Sequence, residues 1–221
     1  MRSLFEFEDQ PWLPSSLRDY MTDALRGLFS SLCRRTRVAD RLACVLKRCN
    51  ENSIVDLCSG GTGALCPVIE DLELQGLRPS VLLTDRYPNI PAFESLCRAS
   101  DGRFEFRSEP IDATAIPPDL DGVRTLFAAF HHFEDEDAVT ILRDAASKRC
   151  GLAVFEASER HPVMILAMPL VTLAVLVITP SLRPFRLGRI VFTYLLPIVP
   201  LLVFWDGAVS CLRTRTVAEL R

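Results

Sequence analysis

The stretch that most constrains this chain is 54–63, Ile-Val-Asp-Leu-Cys-Ser-Gly-Gly-Thr-Gly, where an apolar run ends in an acid and opens into three glycines within four positions. Such a run reads as a buried strand entering a tight turn. Only glycine lets backbone N–H groups come within reach of a ligand there, because a Cβ would block the approach or forbid positive φ angles. The next stretch, 64–75, carries apolar residues at Leu65, Val68, Ile69 and Leu72, the spacing of a helix with one buried face. Strand, glycine turn and helix in that order are the context of a nucleotide-type site.

The following segments keep the same alternation. Val81, Leu82, Leu83 and Thr84 lead to Asp85, 22 residues beyond Gly63. Residues 104–106 alternate as a third strand and lead to Asp112; 125–130 form a fourth apolar run ending at His131 and His132; 151–155 form a fifth ending at Glu156. Helical stretches lie between them at 91–99 and 135–147, the second opened by acids that suit a helix N-terminus. Five strands alternating with helices predict an α/β fold: a mostly parallel sheet, helices on both faces, and ligand groups gathered at the strands' carboxyl ends. The expected organisation is an N-terminal arm and helical cap over 1–50, an α/β core over 51–160, an apolar helical hairpin over 161–205 and a C-terminal segment over 206–221.

Across roughly residues 50–160 the chain resembles the class I, Rossmann-like S-adenosylmethionine-dependent methyltransferases. The family's acid and glycine loop is similar to Asp56 with Ser59, Gly60, Gly61 and Gly63, in an Asp-Leu-Cys-Ser-Gly spelling and with one extra residue before Gly63 relative to the commonest form. The resemblance implies S-adenosylmethionine as cofactor, Asp85 on its ribose hydroxyls, Asp112 on its adenine side, and the end of strand four at Phe130-His131-His132-Phe133, with Phe130 counted among the cofactor-binding residues. Loop chemistry favours the same cofactor over a dinucleotide. A pyrophosphate calls for G-x-G-x-x-G, whereas Gly60-Gly61-Thr62-Gly63 continues as Ala64-Leu65-Cys66, and S-adenosylmethionine carries no phosphate. An NAD-dependent oxidoreductase and a membrane-anchored, non-catalytic binding or scaffold protein remain as alternatives.

His131 and His132 are the candidate catalytic residues. If the fourth strand continues through them they project to opposite sides, so at most one faces the cleft. An imidazole there can accept a proton from a substrate hydroxyl, phenol or acidic carbon. The other reading is that both line the pocket while methyl transfer proceeds by proximity and orientation. Glu156 and Glu159 follow strand five as further acids, Glu159 suiting a solvated helix start.

After the fifth strand, 161–182 and 190–205 carry no fixed charge, and Arg183, Arg186 and Arg189 separate them. The 17 residues of 163–179 span about 26 Å as a helix, near the minimum for a bilayer core of about 30 Å. The second stretch contains Pro197 and Pro200. Glu6, Glu8 and Asp9 stand where a secretory leader would be basic and then apolar, which keeps the α/β half in the cytoplasm. A spanning hairpin would then carry the arginine turn outside, against the positive-inside tendency, so the expectation is a hairpin dipping into one leaflet at the cytoplasmic face of a membrane. Residues 160–221 hold a balance of +5 and residues 1–159 one of −8, placing the basic end towards anionic lipid. The partners expected are membrane lipid and a small or lipid-like acceptor, with a homodimer through the apolar stretches as the alternative. An acidic catalytic half argues against nucleic acid.

Eight cysteines, at 33, 44, 49, 58, 66, 97, 150 and 211, show no C-x-x-C pair and no zinc spacing, so reduced thiols are expected and no metal site. Before the core, 15–31 and 37–47 read as amphipathic helices, the first with Leu17, Tyr20, Met21, Leu25 and Leu28 on one side. Phe5, Phe7, Trp12 and Leu13, threaded with Pro11 and Pro14, form an apolar arm read as a lid, a membrane-contacting loop or packing against the sheet. Residues 216–221 look like the start of a helix where the family's sheet usually adds two strands.

Overall fold

The computed structural model describes residues 4–33, 37–216 and 218–219. Five short strands, β1 (Ser53–Leu57), β2 (Ser80–Leu83), β3 (Phe104–Phe106), β4 (Val123–Phe127) and β5 (Leu152–Phe155), form one sheet in the order β3-β2-β1-β4-β5. Every pairing is parallel, with Asp56 opposite Leu83 on one side and Thr125 on the other. The chain is thus a Rossmann-like α/β protein, and its strand order reverses beside β1, where such sheets open a crevice at their carboxyl ends.

Alternation along the strands supplies two cores. Ile54, Val81, Leu83 and Val123 pack on one face against α2 (Val38–Cys49), α3 (Leu65–Leu74) and α4 (Ile90–Ala99). Val55, Leu57 and Leu126 pack on the other against α5 (Asp135–Ser147) and the segment holding Ala113, Ile116 and Leu120. Asn89 caps α4 by accepting from the N–H of Ala92, and Asp135, Glu136 and Asp137 set negative charge at the first turn of α5.

A third cluster joins the two ends of the chain. Leu13 from the arm and Met21 and Ala24 from α1 (Ser15–Cys33) pack against Val175 of α7 (Met168–Ile178) and Val199, Leu202 and Val203 of α9 (Ile198–Arg213). The arm does not lie on the sheet. It turns through a 3-10 segment, Phe7–Asp9, and docks on α9: Phe7 and Glu8 donate their N–H groups to Asp206, and Trp205 donates to the carbonyl of Phe5.

The expected apolar helical hairpin is present, but built from shorter, broken helices. The first stretch is α6 (Pro162–Leu166) followed by α7, and the second breaks between α8 (Leu187–Ile190) with its π-helical continuation and α9. No described helix alone is long and apolar enough to cross a membrane; Leu187–Leu195 and Ile198–Arg213 reach that length and composition only jointly, bent by 76°. Two of the three arginines of the turn face inwards, while Arg183 is exposed. Arg189 is fully buried against Asp23 at 2.5 Å, and Arg186 meets Asp19 at 3.0 Å. Likewise Arg160, Arg213 and Arg215 pair with Glu219, Glu6 and Asp135, so the basic end answers acids of this chain rather than forming a free positive face. The expected C-terminal helix is a turn at Thr216, whose N–H is accepted by Glu219; Val217, Leu220 and Arg221 lie outside the described residues.

Candidate functional site

One cavity of about 850 Å³ lies between the carboxyl ends of the strands, the arm and the α1, α7 and α9 layer. Asp56, Ser59, Gly60, Gly61, Gly63, Asp85, Asp112, His131 and His132 all line it. Phe130 does not: its ring is buried in the second core, with the Arg215 guanidinium 5.3 Å from its centre, and Ala128 and Ala129 take its place on the cavity wall.

The loop after β1 is held from within. Gly60 adopts φ +50° and donates its N–H to Asp85 at 2.7 Å, while Tyr87 donates to the other oxygen of Asp85 at 2.7 Å. Gly61 and Gly63 owe their identity to packing rather than to ligand approach. A Cβ at Gly61 would lie 2.5 Å from the carbonyl oxygen of Thr22, and one at Gly63 would lie 2.2 Å from Cα of Arg26, because α1 rests directly on the loop. Cys58 and Ala128, at the ends of β1 and β4, hold positive φ angles of 58° and 50°. Non-glycine residues in this region cost free energy, and such strain clusters at ligand sites.

Burial tunes the acids. Asp56 is buried, accepts from Thr125 Oγ1 at 2.5 Å, and is pushed up to about 7 by loss of water, with Thr125 and Ser59 opposing. Burial also raises Asp85, against the pull of the Tyr87 and Gly60 N–H groups. At Asp112 the balance reverses: burial works against the charge, but hydrogen bonds from the Thr114 hydroxyl and N–H hold the carboxyl below its ordinary range. The Cys58 thiol rises well above its usual value through burial and neighbouring Asp85, so it is a poor nucleophile.

The two histidines are not on a strand. The chain leaves β4 at Ala128 and enters a 3-10 turn, Phe130–His132, which ends the alternation that would have sent the rings to opposite sides. Both rings face the cavity with centroids 4.4 Å apart. Glu156 accepts the backbone N–H of His131 at 3.0 Å and bonds its Nδ1 at 2.7 Å. An ionised carboxylate only accepts, so Nδ1 carries a proton and the lone pair of the neutral ring falls on Nε2. That Nε2 lies 3.7 Å from Glu6, and Nδ1 of His132 lies 3.6 Å from Glu6 and 2.9 Å from Asp9. Burial opposes charge on His132, yet Glu6 and Asp9 push it well above the ordinary imidazole value. Glu159 is exposed and lies outside the cavity.

Sequence reasoning missed Glu6, Glu8, Asp9, Arg18 and Asp206, all of which line the cavity. Arg18 ties the arm to α1 by donating to the carbonyls of Glu8 and Gln10, and its guanidinium sits 3.9 Å over the Tyr87 ring. Burial lifts Glu8 to about 8 and Asp206 to about 7. The available signal was the presence of three acids inside an apolar arm that its prolines keep from forming a regular helix.

No family profile matches the chain, and no curated protein matches it. Among solved structures it is similar to the mitomycin 7-O-methyltransferase MmcR, at 24% identity over 49% of this chain and 31% of that one, with a TM-score of 0.35.

Proposed function

We propose that this protein is an S-adenosylmethionine-dependent methyltransferase whose acceptor is small or lipid-like and is met at a membrane surface. The observation that carries this reading is convergence: the acid and glycine turn after β1, Asp85 after β2 and Asp112 after β3 open into one cavity of a parallel 3-2-1-4-5 sheet. The residues fit that cofactor better than a dinucleotide. Gly60 already gives its N–H to Asp85, and α1 lies on Gly61 and Gly63, so the loop is poorly placed to cradle a pyrophosphate. Each Asp85 oxygen accepts one backbone bond and keeps a lone pair for a ribose diol. Bound there, S-adenosylmethionine supplies an electrophilic methyl group.

The acceptor side is apolar and adaptable, built from Met164, Met168, Val171, Ala174 and Val203. Nε2 of His131, with its proton held on the Glu156 side, is the group available to take a proton from the acceptor. Access favours a lipid-like molecule. Leu170 lines the cavity and is also 67% exposed, in a row at helical spacing with the exposed Leu166, Leu173 and Val177. Contiguous exposed apolar surface of this kind marks a membrane or protein contact. Titration calorimetry with S-adenosylmethionine and with NAD tests the cofactor, and methyl transfer from labelled S-adenosylmethionine to fractionated lipids tests the acceptor. Binding of NAD alone would overturn the reading.

A further inference from the structure

We propose that Glu6, His131 and His132 form a binding site for a divalent transition-metal ion of the zinc class, opening into the main cavity. One nitrogen from each ring and one Glu6 oxygen lie within 4.8 Å of one another. Separations of 3.6 and 3.7 Å between the Glu6 oxygen and the two rings approach the spacing of about 3.4 Å that ligands about 2.1 Å from a tetrahedral centre adopt. Two imidazoles and one carboxylate suit borderline metals, whereas magnesium and calcium prefer oxygen.

Further features of these residues suit a bound cation. Glu6 is buried: its Oε1 has no hydrogen-bond partner, while its Oε2, the oxygen nearer the two rings, accepts from Ser210 Oγ at 2.8 Å. Arg213 approaches Oε1 only to 3.5 Å. Glu156 holds His131 through Nδ1, the carboxylate–imidazole support that fixes a metal-binding ring and raises its basicity. Asp9, 2.9 Å from His132, adds negative charge and a candidate fourth ligand. The sequence hides this site because Glu6 comes from the arm and the histidines from the turn after β4. Occupancy does not depend on the methyltransferase reading; the site's use in holding an acceptor oxygen does, and with an ion bound there His131 Nε2 would be a ligand, the ion taking over the acidification of the acceptor in its place.

The test uses the full chain, stripped by chelator and titrated with Zn²⁺ by calorimetry and with Co²⁺ by absorption. One equivalent should bind with a nitrogen and oxygen spectrum free of thiolate charge-transfer bands. Glu6→Gln and His131→Ala should each weaken binding by at least tenfold, and Glu156→Gln, which touches only the support, by ~10- to 100-fold. Should His131→Ala fail to fold, Glu6→Gln and Glu156→Gln still decide the matter, with folding checked by circular dichroism. Failure of the wild type to bind, unchanged affinity in Glu6→Gln and Glu156→Gln, or a thiolate band abolished by Cys44→Ser with Cys49→Ser would overturn the site. S-adenosylmethionine titrated in parallel separates the two readings: cofactor binding without metal removes only the metal site, and metal binding without cofactor removes only the methyltransferase.

Discussion

At the scale of single residues, Asp85 and Asp56 lead to separate expectations. Asp85 is fastened by Gly60 and Tyr87 yet keeps lone pairs towards the cavity, so Asp85→Ala is expected to weaken S-adenosylmethionine binding by about 1.5–3 kcal/mol, read by calorimetry. Unchanged affinity would exclude it from the ribose site. Asp56 is raised to about 7 by burial, above an ordinary value of 3.8. A carboxyl raised on folding contributes stability fully present below the unfolded value and lost as pH rises through the folded one, so stability should fall between about pH 4 and 7. Asp56→Asn keeps an acceptor for Thr125 and should flatten this slope in urea titrations at several pH values. An equal slope in the variant would assign the dependence to other groups.

At the scale of elements, the pairing of α1 with the glycine loop and with the arginine turn can be tested directly. A methyl group at Gly63 would meet the Arg26 backbone at 2.2 Å, and neither chain can yield easily, so Gly63→Ala should cost about 1–3 kcal/mol by overpacking, measured as a lowered melting temperature. Arg189→Met strands Asp23 without its closest partner and should cost about 3–5 kcal/mol, while pairing it with Asp23→Leu should recover much of that loss. Additive losses would show that the ion pair is not coupled. These same contacts explain what the sequence could and could not disclose. The strand and helix pattern of the sheet was legible because strands buried on both faces read as short apolar runs and helices as periodic stretches between them: Asp135–Ser147 forms where its acids and periodicity place it. Phe130, the histidine rings and the arginines were not legible. Their orientation depends on one positive φ at Ala128 and on partners supplied by α1 and the arm, which no local spacing encodes.

At the scale of the whole molecule, the remaining question is what covers the outer face of α6, α7 and the segment leading into α9. Leu166, Val177 and Leu195 are each at least three-quarters exposed, and the partly exposed rings of Trp12 and Trp205 pack on Phe7 of the arm. Because Arg186, Arg189, Arg213 and Arg215 are tied to acids of the chain and Arg183 alone of the turn is exposed, a bilayer would be held mainly by apolar area rather than by a basic surface. Binding to vesicles should therefore occur on neutral phosphatidylcholine nearly as well as on anionic lipid, and it should survive high salt, since ions screen charge but not apolar burial. Leu170→Glu and Leu173→Glu, both on the exposed side of α7, should lower vesicle co-sedimentation with little change in fold, because neither side chain is buried. Dependence on anionic lipid would instead point to arginines released from their partners. A protein that stays monomeric and in solution with neutral and anionic vesicles alike would remove the membrane, and with it the reason to expect a lipid-like acceptor, while leaving the cavity and its acids to be explained by a water-borne substrate.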